Sequence, residues 1–483
     1  MKTYPMLAWP IVHYGIKGYR ENGQSFFVDA PEGVDLVVQR ADCSPPVLVP
    51  DRPWERGLLN HFHLVREGDR LRLWYSGGDY LCYAESSNGF RWEKPVLNRV
   101  EFDGSMANNI AFAKGWPCVC WFEDGNAAPE QRFKAVGLEA CWIDKEGKEV
   151  PESLVRDAMT HRTGNEEDNP VGFDIRSAMA GYVSPDRFRW TKLNVPSLMD
   201  LFSDTQAVVW YDPASRLYRG YFRMGWAGKR AVGYAETADF TRWPLPRVVF
   251  HAAIQDGLDT DAYTSCYCPY PGDADLRLLF PAMYHHVRDT VDIHLAVSRD
   301  GQDWDRPSFD PIIPLGEMDG LPEQSLYASP DLVTLPDGRW GLMYLSTCWP
   351  HNMDPTPLPK GQYRFAYRWA RWQPHRLAGI AAKAEGQFTI LPQPCQAGEL
   401  RLNYKTEAGG WVRVELADRA GGYPPVEVAP LPDHTFDQCD VLTGDALDRV
   451  VTWRGKRDLS PLQGKNVAIH IRLHRATVFS VTL

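Results

Sequence analysis

The chain has 483 residues, enough for two or three domains, and its 44% hydrophobic and 24% charged residues exclude wholesale disorder, collagen-like structure and coiled coils. A formal charge of −10 without a compensating Lys/Arg stripe argues against nucleic acid as a partner. No apolar run approaches the roughly 18–20 residues that cross a bilayer, so a membrane is not an expected partner either.

The 18 Trp, 21 Tyr and 20 Phe stand beside 39 Gly and 38 Pro, and so many helix breakers predict many short strands. The opening, Met1-Lys2-Thr3-Tyr4-Pro5 running into Trp9-Pro10 and Arg20-Glu21, lacks the apolar stretch of a secretory signal, which predicts a cytoplasmic protein. The ten cysteines fall mostly in apolar strand-like runs and are expected as reduced core thiols. Cys118/Cys120 and Cys266/Cys268 each put two sulfurs on one face of a strand. No Cys-x-x-Cys or close His pair completes a tetrahedral set, so no metal is expected.

Residues 51–378 repeat themselves. Tyr83-Ala84-Glu85-Ser86 leads to Asn88-Gly89-Phe90-Arg91-Trp92, Tyr182-Val183-Ser184 to Asp186-Arg187-Phe188-Arg189-Trp190, and Tyr234-Ala235-Glu236-Thr237 to Asp239-Phe240-Thr241-Arg242-Trp243; Leu295-Ala296-Val297-Ser298 leads to Asp300-Gly301-Gln302-Asp303-Trp304. The Trp always follows the hydroxyl residue by six positions, as in a strand, a tight turn and a returning segment. Phe365-Ala366-Tyr367-Arg368-Trp369 is a fifth, degenerate copy. Before each hairpin lies another alternating pair, such as Phe62–Val65 turning at Glu67-Gly68-Asp69 into Leu71–Tyr75. About four antiparallel strands per unit, five times over, predict a five-bladed β-propeller. Residues 1–50 are expected to be an N-terminal leader packing on that propeller. A polar insertion around Lys145–Asn169 predicts a surface loop in the second unit. Residues 385–483 alternate without the repeat and predict a C-terminal β-sandwich that buttresses the ring or joins subunits into a homo-oligomer. The fold class is all-β.

The segments YAESSNGFRWEKP, LAVSRDGQDWDRP and DTQAVVWYDPASRLYRGYFR resemble the five-bladed propellers of glycoside hydrolases related to families 32, 43 and 68. The C-terminal segment GELRLNYKTEAGGWVRVEL is similar to the sandwich of a largely uncharacterised bacterial group near family 32. The resemblance implies a glycoside hydrolase acting on an oligosaccharide or polysaccharide. The Trp-x-Asn-Asp-Pro-Asn-Gly run, the Arg-Asp-Pro stabiliser and the Glu-Cys pair of family 32 are absent, so no site residue carries over by motif, and fructan hydrolysis is not implied.

Site residues therefore derive from position. A propeller brings the starts of its innermost strands to one end of a central channel. Asn60, His61, Asn109, Asp204, Asp261, Glu323 and Tyr327 hold such positions; Asp79, Arg223 and His285 lie at the matching ends of second strands. Glycoside cleavage needs two carboxyl groups, one donating a proton and one ionised. Glu323 is the expected acid/base, Asp204 the nucleophile or base, and Asp261 their partner; the others would bind sugar hydroxyls. Trp226 and Trp349 are candidates to stack on a sugar, and Lys229-Arg230 would suit an anionic one. No P-loop or dinucleotide pattern occurs, so no organic cofactor is expected. A non-catalytic carbohydrate-binding ring and a glycosyl phosphorylase or transferase are the alternatives.

Overall fold

The computed structural model describes residues 1–113, 120–143, 149–150, 174–195, 197–199, 201, 203–352, 363–396, 398–421 and 428–483. The insertion expected around Lys145–Asn169 and the thiol of Cys118 lie outside them. Regular structure there is strand, with 3-10 turns of three residues, and no helix is long and apolar enough to cross a membrane.

The repeated hairpin has a hydrogen-bonding cause. Ser86 Oγ accepts from the N–H of Gly89 at 2.8 Å, and Asn88 Oδ1 accepts from Phe90 and Arg91, each at 2.9 Å. Ser298 and Asp300 do the same for Gly301, Gln302 and Asp303. The turn needs a positive φ, supplied by Gly89 at 78° and Gly301 at 79°. The returning Trp92 and Trp190 then donate Nε1–H to the turn carbonyls of Gly89 and Arg187 at 2.8 and 2.9 Å. Ser/Thr and Asp/Asn recur at fixed spacing because together they satisfy one turn's backbone N–H groups, and in three of the four copies the Trp Nε1–H satisfies a turn carbonyl as well.

Successive strand groups track that repeat. The first runs Leu59–Glu67, Arg70–Gly77, Tyr80–Ser86, Ile110–Phe112; the second contains Trp121–Glu123, Phe133–Ile143, Asp174–Ser184 and Thr191–Lys192; the third Val208–Asp212, Leu217–Trp226, Lys229–Thr237 and Arg247–Phe250. In the fourth each long strand is broken in two, as in Thr260–Ala262 with Tyr267–Tyr270. The fifth pairs Ser325–Thr334, Trp340–Thr347 and Phe365–Trp372.

Adjacent residues of the middle strands face opposite neighbours, as a period of two requires. Trp74 packs on Trp121 and Phe133 of the second group, while Leu73 and Tyr75 pack toward Met343 and Trp369 of the fifth. Phe222 joins Phe122 and Val136, while Tyr221 joins Leu279 and Met283. Leu278 and Leu342 fill the core between groups four and five. Each core is shared by consecutive groups, and the last is shared by the fifth group and the first, so the sheets close into a propeller ring.

The N-terminal segment is sewn into both ends of the molecule. Asp42–Cys43 adds an outer strand to the fifth group, Asp35–Val38 pairs with Ala378–Pro394, and Thr3–Pro5 pairs with Asn466–Thr482. The C-terminal region is one connected sheet built on three 17-residue strands, Ala378–Pro394, Arg401–Ala417 and Asn466–Thr482. Register shifts at Ala382/Glu385 and Thr406/Trp411 divide these strands. Ile380, Tyr404 and Val478 from one half share a core with Phe388, Val414 and Ile471 from the other. Arg376 fastens sheet to ring, donating to Asn403 Oδ1 at 2.8 Å and Asp445 Oδ1 at 2.6 Å.

Ring closure can be tested at Trp369, fully buried between the fifth and first groups, with Nε1–H donated to Gly89 O at 2.8 Å. Trp369→Ala is expected to lower unfolding stability by about 3–5 kcal/mol, against little change for the exposed Trp226→Ala, in urea titrations followed by circular dichroism.

Candidate functional site

The first strands of four groups start at one mouth of the ring, around a cavity of about 320 Å³. Asn60 and His61 come from the first group, Asp204 precedes the third, Tyr263 belongs to the fourth, and Ser325 and Tyr327 begin the fifth. The loop after Trp340–Thr347 adds Trp349 and His351. Below, side chains knit the axis: Gln206 Nε2 and Ser329 Oγ both donate to Phe62 O, at 2.8 and 2.9 Å. The space there narrows to about 10 Å³.

Asp204 forms an ion pair with Arg223 Nη2. The acid side chain is 44% exposed and the base 7%, so the carboxylate meets the cavity while the guanidinium backs it. Arg223 also lies over the Tyr263 ring. Burial and then the Arg223 charge push His61 down to about 4, and burial and then Arg230 do the same to His351. Both imidazoles are therefore neutral near pH 7. Burial raises the Tyr327 phenol, which keeps its proton, and its hydroxyl is hydrogen-bonded to His351 Nδ1 at 2.6 Å.

Other expected site residues lie elsewhere. Glu323 was expected as the acid/base, but it is buried away from the cavity wall. Its Oε1 accepts from Arg368 Nη1 and Ser346 Oγ, both at 2.5 Å, and its Oε2 accepts from the N–H of Gly316 at 2.9 Å. The physical reason is that a carboxylate without water needs a cation and donors on both oxygens, and Glu323 has them. Asn109 was expected at the start of the second group, but it precedes Ile110–Phe112, the outer strand of the first. Its amide accepts from Trp54 Nε1 and donates to Tyr75 OH and Tyr83 O, which makes it a structural tie. Asp79 is largely exposed and pairs with Arg56.

Asp261 lies behind Tyr263 rather than on the wall. Its Oδ2 meets Arg230 Nη1 and His286 Nε2, each at 3.0 Å, and its buried Oδ1 has no hydrogen-bond partner among the described residues.

His285 is drawn into another network. The donor atoms of His285, Asp292 and His294 lie within 4.8 Å of one another, a geometry that could hold a metal ion. The surrounding hydrogen bonds argue otherwise. Arg306 Nη2 lies 2.7 Å from His294 Nδ1, and because a guanidinium only donates, Nδ1 must accept and Nε2 must carry the proton. That Nε2–H points to Asp292 Oδ1 at 2.9 Å. A metal on Nε2 would require the opposite tautomer. Burial would raise the Asp292 carboxyl, but the hydrogen bonds from His285 and His294 outweigh it and hold it at about 2.

Position in the repeat thus leads to the wall at Asn60, His61, Asp204 and Tyr327, with Arg223 just behind. It misses Tyr263 and His351. The signal for His351 is its place in the Cys348-Trp349-Pro350-His351 turn after a second strand; Tyr263 could have been found from its neighbour Asp261.

No family model and no curated protein matches the chain. Solved structures to which it is similar include a glycoside hydrolase at 13% identity and TM-score 0.41, over 70% of this chain and 93% of the other. A thermostable family-43 glycoside hydrolase matches at 13% identity and TM-score 0.39, over 67% and 92%. The GH32 β-fructofuranosidase BmSUC1 of Bombyx mori matches at 9% identity and TM-score 0.39, over 93% of each chain.

Two measurements check these placements. Glu323→Gln leaves the Arg368 charge buried and unpaired, and is expected to cost about 3–5 kcal/mol of unfolding stability; Asp79→Asn, whose partner Arg56 is open to solvent like the acid itself, is expected to cost far less. His351 is depressed in the fold, so between its unfolded value near 6.5 and about 4 the unfolded chain binds more protons and stability falls as pH falls. The pH dependence of urea unfolding over that window is expected to be shallower in His351→Gln than in the wild type.

Proposed function

We propose that the ring is a glycosidase that seats a sugar of an oligosaccharide or polysaccharide in the axial cavity, with Asp204 acting on the anomeric carbon as nucleophile or through water as base. Residues 51–378 form the catalytic ring and 385–483 the supporting sheet, with residues 1–50 as the leader between them. The observation that carries this reading is the cavity wall itself. It combines a carboxylate, Asp204, with amide and imidazole groups at Asn60, His61 and His351, and aromatic surface at Tyr263, Tyr327 and Trp349. Sugars are bound by this mixture: hydroxyls take the polar groups and C–H faces stack on rings. At about 320 Å³ the cavity is at the small end of ligand pockets (roughly 300–1,000 Å³), a size for one terminal residue.

A second reading, a ring that binds carbohydrate without cleaving it, is favoured by one observation. Among the described residues Asp204 is the sole carboxylate on the wall, whereas hydrolysis uses two. Turnover of a panel of aryl glycosides and plant or algal oligosaccharides separates the readings. Cleavage by the wild type that falls roughly 100- to 10,000-fold in Asp204→Asn, with binding retained, is the expected result. Sugar binding by the wild type without turnover of any panel member would move the assignment to the second reading, and unchanged turnover in Asp204→Asn would remove Asp204 from the chemistry.

A further inference from the structure

The guanidinium of Arg230 and the imidazole of His286 stand beside the cavity, and cleavage of a neutral sugar gives them no task. Arg223 and Arg230 stand on one face of a hairpin: Arg223 pairs with Val232 and Gly225 with Arg230, so these four positions point the same way. The glycine leaves room beside Arg230, since a Cβ at 225 would meet nothing within 4 Å. Both guanidiniums lie over the ring of Tyr263, at 4.8 and 5.2 Å, and Tyr263 lines the cavity.

The two arginines differ in what they have left to offer. Arg223 is 7% exposed and pairs through Nη2 with Asp204, and its remaining Nη1 is buried out of a ligand's reach. The side chain of Arg230 is 35% exposed and that of His286 46%. Each gives one nitrogen to the same oxygen of Asp261, which is itself only 2% exposed, so a buried acid holds both side chains from behind. Among the described residues Arg230 donates through Nη1 alone, which leaves the rest of its planar fork for a ligand. A guanidinium with two free parallel N–H groups matches a carboxylate.

We infer that Arg230 and His286, backed by Asp261, form a subsite for a sugar carboxylate, and that the substrate is a hexuronide. The inference rests on the sugar-binding reading of the cavity. The negative group of such a ligand must sit against Arg230 and away from Asp204. A hexuronide allows this, because its carboxylate is on C5 and its anomeric carbon is C1, on opposite sides of the ring oxygen. Asp261 is then a positioning residue: it orients two donors and does not touch the substrate.

The test compares each uronide with its own methyl ester, the same sugar without the charge. Isothermal titration and turnover are measured with galacturonides, glucuronides, their methyl esters and 6-O-sulfated hexosides, on wild type, Arg230→Gln and Arg230→Lys. The acid is expected to bind about tenfold or more tightly than the ester, with that ratio collapsing in Arg230→Gln and partly retained in Arg230→Lys. Equal affinity for acid and ester, a ratio that survives in Arg230→Gln, or preference for the sulfated sugar overturns the inference. Should Arg230→Gln fail to fold, the ratio in Arg230→Lys decides. Arg230-dependent binding of a uronide that is never cleaved leaves the subsite standing and overturns the glycosidase; Asp204-dependent cleavage of neutral glycosides with no preference for the acid does the reverse.

Discussion

Every sheet in the ring must bury both of its faces, and the only surfaces available to do so are the neighbouring sheets. That constraint organises the molecule. Leu73 and Trp74 are consecutive, yet one packs toward the fifth group and the other toward the second; Tyr221 and Phe222 divide in the same way between the fourth and second. A row of such sheets would leave an open apolar face at each end. Closure removes both, with Met343 and Trp369 meeting Leu64 and Leu73, and it creates the axis on which the cavity lies. The strand Asp42–Cys43 then pairs with Phe365–Trp372, covering the outer edge of the last sheet with the chain's own beginning.

Within that frame the buried acids obey one rule, that a charge removed from water must be paired. Glu55 is held by Lys94 and Tyr75, Asp124 by Lys134 and Tyr218, Asp256 by Arg306, and Glu323 by Arg368. In each of these the cation is buried together with the acid. Asp204 departs from the pattern, because only its partner Arg223 is buried. Arg230 and Asp261 reverse the arrangement, with the acid buried and the cation exposed. Uneven burial across an ion pair, more than the presence of an acid, separates groups that can meet a ligand from groups that hold the fold.

The same rule explains how much could be read from the sequence. The ring's hairpins are legible because Ser86, Asn88, Gly89 and Trp92 act within seven residues on one another's backbone, so their spacing repeats with the structure. The positions of Asn60, His61, Asp204 and Tyr327 at the mouth derive from that repeat. Glu323 holds an equivalent position and looks the same in sequence, but its environment is set by Arg368, 45 positions on, and no local pattern carries that information. Asn109 is ambiguous in sequence because Ile110–Phe112 is the outer strand of one group, whereas alternation alone also allows an inner strand of the next. His285 is drawn off the cavity by Asp292, whose acidity depends on a second imidazole, His294, across the same carboxylate.

The cavity is chemically lopsided, because the groups that contribute to it differ. The first and fifth groups supply Leu58, Leu59, Leu345, Trp349 and Phe365 together with Asn60, His61, Ser325 and His351, an aromatic and polar side that carries no carboxylate, Lys or Arg among the described residues. The third and fourth supply Asp204 and Tyr263, with Arg223, Arg230, Asp261 and His286 around them. A ligand with one charged edge cannot turn freely between two such walls: that edge belongs against the ion pairs and an apolar face against the aromatic rings. The first and third groups, on opposite walls, are joined on one side through the second and on the other through the fourth and fifth, so the separation of the walls is fixed by the cores of the closed ring. The geometry presented to a ligand is therefore as rigid as the ring, while its chemistry is written in a few side chains at the mouth that the ring's cores do not depend on.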